Sequence, residues 1–75
     1  MQTIRKAREA TLPKPPKRKR LRIDNGYSQK EFGAFIGKSA ASVCRYEAGT
    51  TLPRGRALRA YGALLRELER RDKRD

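Results

Sequence analysis

The chain has 75 residues, which is enough for one small domain and too few for most enzyme folds. Its 20 Lys and Arg against 8 Asp and Glu give a formal net charge of +12, so the expected partner is polyanionic. The absence of His and the single Cys exclude, within these residues, a His-based triad, an intrachain disulfide and a multi-thiolate metal site, and we expect no catalysis, cofactor or metal.

Residues 1–15 are predicted to form a flexible basic arm. The run at 11–20, Thr-Leu-Pro-Lys-Pro-Pro-Lys-Arg-Lys-Arg, contains three prolines that favour extended backbone and cations that repel one another. We expect it to contact nucleic acid, for example in the minor groove; a solvated tail and a localisation or RNA-binding run are the alternatives. No apolar stretch approaches the ~18 residues of a membrane span or resembles a secretion signal, so we expect a cytoplasmic, nucleoid-associated protein.

Two short helices are predicted before residue 38. The first begins near Pro16 and ends at residues 25–26, an Asn-Gly pair that suits a left-handed helix ending. The second begins after Ser28, which has capping-box spacing to Glu31, and it ends at Gly37. Two aromatic residues at its start have the spacing of a hydrophobic staple: Tyr27 and Phe32.

Two further helices are predicted after the turn. Ser39 can cap the third, whose inward face carries Val43 and Tyr46 and which Gly49 ends. After a loop, apolar residues recur every three or four positions and predict a fourth helix: Leu58, Tyr61, Leu65 and Leu68. The last two either complete the core or form a dimer seam. Glu-to-basic pairs favour continuation of this helix to about residue 73, and we assign the folded domain to residues 16–71 and a charged tail to 72–75.

The second and third helices, joined by a short turn that contains Gly, have the skeleton of a helix-turn-helix. This motif needs a very small residue where its two helices meet, and four larger apolar residues that form their shared core. Six positions within fifteen residues satisfy this pattern: Phe32, Gly33, Ile36, Gly37, Val43 and Tyr46.

Residues 21 to about 65 resemble the Cro/CI (XRE) helix-turn-helix family. The Arg-Tyr-Glu-x-Gly ending at 45–49 and the loop around Pro53 look most like the DNA-binding modules of phage repressors and of MqsA- or HigA-type antitoxins. The resemblance implies an all-α, compact, four- to five-helix, lambda-repressor-like domain whose helix at 40–48 enters the major groove of DNA. It is carried by these segments: Leu21-Arg22, Gly26-Tyr27-Ser28-Gln29, Gly37-Lys38-Ser39, and 43–49 followed by Pro53.

The resemblance also implies roles for individual residues. The base-reading positions are Ala40, Ala41, Ser42 and Arg45. Arg can grip guanine with two hydrogen bonds, whereas Ala can only touch a thymine methyl, so Arg45 is the main candidate reader and DNA shape should supply part of the specificity. Arg22 and Glu47 are expected to form a structural salt bridge. Residues at helix starts, in loops and in the basic run are expected to contact phosphate: Gln29, Lys38, Ser39, Thr50, Arg54, Lys17, Arg18, Lys19 and Arg20.

Three features depart from the family pattern. Position 18, where the first helix usually supplies an apolar residue, holds Arg. Phe35 occupies a position that is commonly polar, so we expect the arm, the C-terminal extension or a second chain to cover it. The fourth helix continues without the usual break.

Cys44 lies beside the reading positions and is interpreted as a bystander, with a thiol sensor as the alternative.

The pattern and the charge favour a transcriptional repressor of the autoregulatory type, bound as a homodimer, at least on DNA, to a two-fold double-stranded operator. The alternative is an antitoxin or protein-interaction adaptor with secondary autoregulatory DNA binding, whose protein partner would be a toxin or co-regulator. RNA binding is a weaker third hypothesis, because the chain lacks the stacking aromatic residues of single-strand readers.

Overall fold

The computed structural model describes residues 12–74, which form four α-helices and no strand. They are α1 (Pro15–Asp24), α2 (Gln29–Ile36), α3 (Ala40–Ala48) and α4 (Gly55–Arg74). The predicted all-α, four-helix class is confirmed. Most of the predicted arm, residues 1–11, lies outside the described residues, and among the described helices none is both long and apolar enough to cross a membrane.

The two central helices begin and end on local signals. At the start of α2, the Ser28 Oγ accepts a hydrogen bond from the Glu31 backbone N–H at 3.0 Å, and a Glu31 carboxylate oxygen accepts one from the Ser28 N–H at 2.8 Å. The predicted capping box is therefore present. At the end of α2, Gly37 has a φ of 74°, a left-handed conformation that favours glycine, and Ser39 then caps α3 through the Ser42 N–H at 3.2 Å.

The turn between α2 and α3 depends on Gly33. A Cβ atom at this position would overlap the carbonyl oxygen of Lys38 and would lie 3.1 Å from the carbonyl carbon of Ser39. Both are backbone atoms, which cannot move without moving α3. The hydrogen at Gly33 thus sets how closely the two helices approach.

All four helices contribute to one core, with Tyr61 of α4 at its centre. The Tyr61 ring meets that of Phe32 edge-on at a centroid distance of 6.2 Å and that of Tyr46 at 5.5 Å. Leu58, which was predicted to face the core, is only half-buried, because the neighbouring Ala57 takes the inward position. The buried apolar residues are Leu21, Phe32, Ile36, Val43, Tyr46, Ala57, Tyr61, Leu65 and Leu68.

The C-terminal helix α4 decides between the two roles considered for Leu65 and Leu68, the core and a dimer seam. Leu65 and Leu68 are 0% and 1% exposed, so both complete the core and neither is free to form a dimer seam. The helix continues to Arg74 without a break, as the Glu-to-basic pairs predicted. One such set is present, since Arg70 and Arg71 both lie within 4 Å of Glu67 carboxylate oxygens, at 2.9 and 3.8 Å.

The basic run is not an extended arm throughout, because α1 already begins at Pro15 and includes residues 17–20. Proline is well tolerated in the first turn of a helix, where its missing N–H has no intrahelical partner. Arg18 is only 6% exposed: its Nε donates to the Pro13 carbonyl at 2.7 Å and its Nη1 to the Tyr46 carbonyl at 2.9 Å. The cation at the usually apolar position is therefore inside the protein.

Phe35 remains 59% exposed. Its described ring contact is with Tyr27, edge-on at a centroid distance of 5.7 Å. The C-terminal extension was one of the segments expected to cover Phe35. The described residues of α4 nevertheless leave the Phe35 side chain exposed. Within residues 12–72, Ile23 and Leu52 are the other large apolar side chains with half or more of their surface exposed.

Replacing Tyr61 by Phe is expected to stabilise the protein by ~1 kcal/mol. The Tyr61 hydroxyl is buried and has no hydrogen-bond partner in the described part of the chain, so removing it eliminates an uncompensated desolvation cost. Urea unfolding followed by circular dichroism measures the change. Tyr61→Ala is the control at the same position and should destabilise by ~3 to 5 kcal/mol, because it leaves a cavity. A loss in Tyr61→Phe as well would show that the hydroxyl is stabilising.

The same hydroxyl predicts a loss of stability in alkali. Burial, aided by the negative charge of Glu47, raises the pKa of Tyr61 to about 12 from an ordinary value of 10.0. The unfolded chain then releases this proton near pH 10 while the folded chain retains it, so stability falls as the pH rises from about 10 towards 12. Between about pH 9 and pH 11.5 the wild type should lose ~2 kcal/mol more than Tyr61→Phe in urea unfolding. Equal losses in the two proteins would contradict the assignment.

Candidate nucleic-acid interface

The third helix, α3, has one face anchored in the core and one face open to solvent. Val43 and Tyr46 are 0% and 6% exposed and hold the helix against the body. The opposite face carries exposed residues that recur at three- and four-residue spacing: Ala41, Cys44, Arg45 and Ala48. Ala40 and Ser42, the other two predicted reading residues, are half-buried.

Arg45 is the longest side chain on the open face. Its Nη2 lies 3.5 Å from the hydroxyl of Ser42, which is at the outer limit of a hydrogen bond, and the Ser42 hydroxyl is 3.2 Å from that of Ser39. No carboxylate in the described residues pairs with Arg45. Its guanidinium is therefore available to an external acceptor.

Sequence reasoning underestimated two positions on this face. Cys44, interpreted as a bystander, is exposed as a free thiol next to Arg45, and Ala48 lies one turn after Cys44. The sequence already contained the signal for this shared face, which is the three- and four-residue spacing of positions 41, 44, 45 and 48. Small side chains at three of these positions would allow a base edge to approach the helix closely.

The start of α3 adds polar and cationic groups beside this face. Lys38 and Ser39 are both exposed, and the first N–H groups of a helix lack intrahelical partners. Together with the helix dipole they favour an anion at this end. Gln29, at the start of α2, is half-buried, and its side-chain amide donates to a Glu47 carboxylate oxygen at 3.2 Å.

A buried ion pair holds α3 to α1. The Arg22 Nε lies 2.5 Å from one Glu47 oxygen and its Nη2 lies 3.1 Å from the other, while the Arg22 Nη1 donates to the Tyr27 carbonyl at 2.8 Å. Both side chains are more than nine-tenths buried, and the hydrogen bond to Glu47 raises the pKa of Arg22. The pair therefore organises the fold and is not available to a ligand.

The loop after α3 continues the exposed surface. The Thr50 N–H and hydroxyl both donate to the Arg45 carbonyl, at 3.1 and 3.2 Å, and so tie the loop to the last turn of α3. Thr50 and Arg54 are exposed.

The four residues of the basic run that were predicted to contact phosphate lie in α1 and differ in their exposure and contacts. Arg18 is only 6% exposed and donates to two backbone carbonyls, so little of its side chain faces solvent; its assignment as a phosphate contact stays a prediction. Lys17 is half-buried and forms an ion pair with Glu69 of α4. Lys19 and Arg20 are exposed.

Comparison with known proteins agrees with this geometry. A helix-turn-helix family model, of the Cro/CI (XRE) type, matches residues 19–69, which is more than half of the chain and includes most of α1 and all of α2 and α3. No curated protein and no solved structure matched the chain. A domain of this type indicates sequence-specific DNA binding in transcription regulation. The chain belongs to the Cro/CI-type helix-turn-helix family.

Proposed function

We propose that the protein is a transcriptional repressor of the autoregulatory type, which binds a two-fold operator as a homodimer with α3 in the major groove. The observation that carries the proposal is the exposed Arg45 on a helix whose inner face is fixed by Val43 and Tyr46. Such a helix can enter the ~12 Å wide major groove as a rigid unit. Repression would follow from occupancy, since a bound dimer hinders access of the polymerase.

Each part of the surface has a separate role in this proposal. Arg45 reads a guanine through two hydrogen bonds, and Ala41 allows close approach to a thymine methyl. Lys38, Ser39 and the start of α3 hold a backbone phosphate, as Thr50 does on the other side of Arg45. Further phosphate contacts would come from the exposed cations Arg54, Lys19 and Arg20 and from the half-buried Gln29. Two copies of α3 would occupy half-sites about 34 Å apart.

Substituting Arg45 by Ala tests the assignment of this residue as a reader. Operator binding should weaken by ~1 to 3 kcal/mol, while binding to random duplex DNA should change little. The matched control is Arg59→Ala, which removes one exposed arginine from α4 and should leave the ratio of the two affinities unchanged. Fluorescence anisotropy with both duplexes gives the two affinities. Equal losses on operator and random DNA for Arg45→Ala would remove Arg45 as a reader.

The operator itself can be obtained by selecting bound sequences from a random duplex pool. A two-fold consensus is expected, and affinity measured across a salt series should show a smaller slope once exposed cations of α1, such as Lys19, are replaced. A consensus without two-fold symmetry would contradict the dimer.

The exposed aromatic surface favours a second candidate function, an antitoxin or adaptor whose DNA binding is secondary. Phe35 and Ile23 are 59% and 53% exposed, and large exposed apolar side chains favour a protein contact. Under this hypothesis the product of a neighbouring gene co-purifies with the protein, and Phe35→Ser abolishes the complex while DNA binding persists. Failure to co-purify with any such product would count against it.

A further inference from the structure

A cleft lies between the start of α1 and the loop that follows α3. Its volume is about 1070 Å³. The floor includes the buried Arg18, the polar rim includes Thr50 and Arg54, and three leucines provide apolar walls: Leu12, Leu52 and Leu58. We refer to it as the Arg18 cleft.

The interior beside this cleft carries an unbalanced positive charge. The buried charged residues of the described chain are Arg18, Arg22 and Glu47. Glu47 forms an ion pair with Arg22, whereas Arg18 donates to two backbone carbonyls and has no carboxylate partner within residues 12–74. A buried cation is costly unless it has a counter-charge, so the site favours an anion.

Arg18 also retains a donor for such an anion. Its Nε and Nη1 donate to Pro13 and Tyr46, whereas its Nη2 donates no hydrogen bond within residues 12–74. Since Arg18 lines the cleft, an anion that enters can meet its side chain.

The walls favour a ligand that also has an apolar part. Leu52 is 50% exposed, and Leu12 and Leu58 are half-buried at the same cleft. A bare phosphodiester would leave these leucines in water. An organic acid with a short hydrocarbon body would instead pair with Arg18 and cover the leucines, which is the usual composition of a small-molecule site.

We propose that the Arg18 cleft binds a small amphipathic organic anion, with its acidic group at Arg18 and Thr50 and its apolar body against Leu52. This site goes beyond the DNA contact proposed above, because it needs no nucleic acid.

The test is an NMR titration of the full ¹⁵N-labelled chain, without DNA, with three probes: hexanoate, 1-hexanol and dimethyl phosphate. Hexanoate should cause saturable shifts in the backbone amides of residues 50–52 and in the Arg18 Nε–H. The alcohol lacks the charge and dimethyl phosphate lacks the apolar body, so each should bind at least about tenfold more weakly.

Variants separate the two halves of the site. Arg18→Leu should weaken hexanoate by at least about tenfold and bring its affinity down to that of 1-hexanol, because the counter-charge is gone. Leu52→Ser changes a half-exposed side chain and should preserve the fold, so it decides the question if Arg18→Leu does not fold; it should weaken hexanoate without affecting dimethyl phosphate. Arg59→Leu, an exposed arginine of α4 outside the cleft, is the matched control and should change nothing.

Two results would overturn the proposal. One is the absence of saturable shifts with hexanoate at tens of millimolar. The other is dimethyl phosphate binding as tightly as hexanoate with no effect of Leu52→Ser, which would make the cleft a phosphodiester contact for DNA. Neither result depends on whether α3 reads an operator.

Discussion

Replacing Glu47 by Gln is expected to lower the free energy of unfolding by ~3 to 5 kcal/mol, because the Arg22 guanidinium then remains buried without a counter-charge. Arg18 is already buried, and no carboxylate of the described residues pairs with it, so this variant would add a second buried cation to one small core. A domain of this size has a total stability of ~4 to 11 kcal/mol, so the expected loss is a large fraction of the total. Urea unfolding followed by circular dichroism measures the loss.

Two controls separate the buried charge from a general effect of removing a carboxylate. Glu67→Gln removes an exposed carboxylate that pairs with Arg70 and Arg71, and it should cost less than ~1 kcal/mol. The double variant Arg22→Met/Glu47→Leu leaves neither member of the pair charged and should be more stable than Glu47→Gln alone. If Glu47→Gln costs no more than Glu67→Gln, the buried pair does not hold α1 to α3.

Replacing Gly33 by Ala is expected to destabilise the protein by ~3 kcal/mol, although alanine is the better helix former by ~1 kcal/mol. The added methyl group would overlap the Lys38 carbonyl oxygen and press on the Ser39 backbone, and relief requires α3 to move away from α2. The loss should appear in thermal and urea unfolding. Operator affinity should fall as well, since the same turn sets the angle at which α3 is presented.

Gly62 provides the matched control, because it is also a glycine within a helix. A Cβ atom there would lie 3.3 Å from the Arg66 Nη1 and 3.7 Å from the Leu12 Cδ2, and both of these atoms end flexible side chains. Gly62→Ala should therefore stabilise the protein by up to ~1 kcal/mol. If the two alanine variants change stability in the same direction, the backbone contact at Gly33 is not what makes glycine necessary.

Much of the candidate interface was predictable from sequence, because the signals that build it act over a few residues. The capping box at Ser28 and Glu31 determines where α2 begins, the left-handed Gly37 where it ends, and the cap at Ser39 where α3 begins. Helical spacing then places Arg45 away from the anchoring pair Val43 and Tyr46, and in the structure Arg45 is exposed while both anchors are buried.

The basic run shows where local reasoning fails. Clustered cations and prolines favour a solvated arm, and only the family pattern, with its apolar residue at position 18, distinguishes Arg18 from Lys19. In the fold, Arg18 faces α3, where its guanidinium meets the Tyr46 carbonyl at the end of that helix. A cation is stabilised beside the carbonyl end of a helix, but that end comes 28 residues later in the chain.

The sequence by itself determined the helices of the motif, their caps and the outward direction of Arg45, since each depends on residues within one or two turns of one another. Only the tertiary structure decided that Leu65 and Leu68 belong to the core, that Phe35 stays exposed and that Arg18 is buried beside an open cleft. The physical reason is that burial and charge balance depend on which distant segments meet in space, and a local pattern of residues does not contain that information.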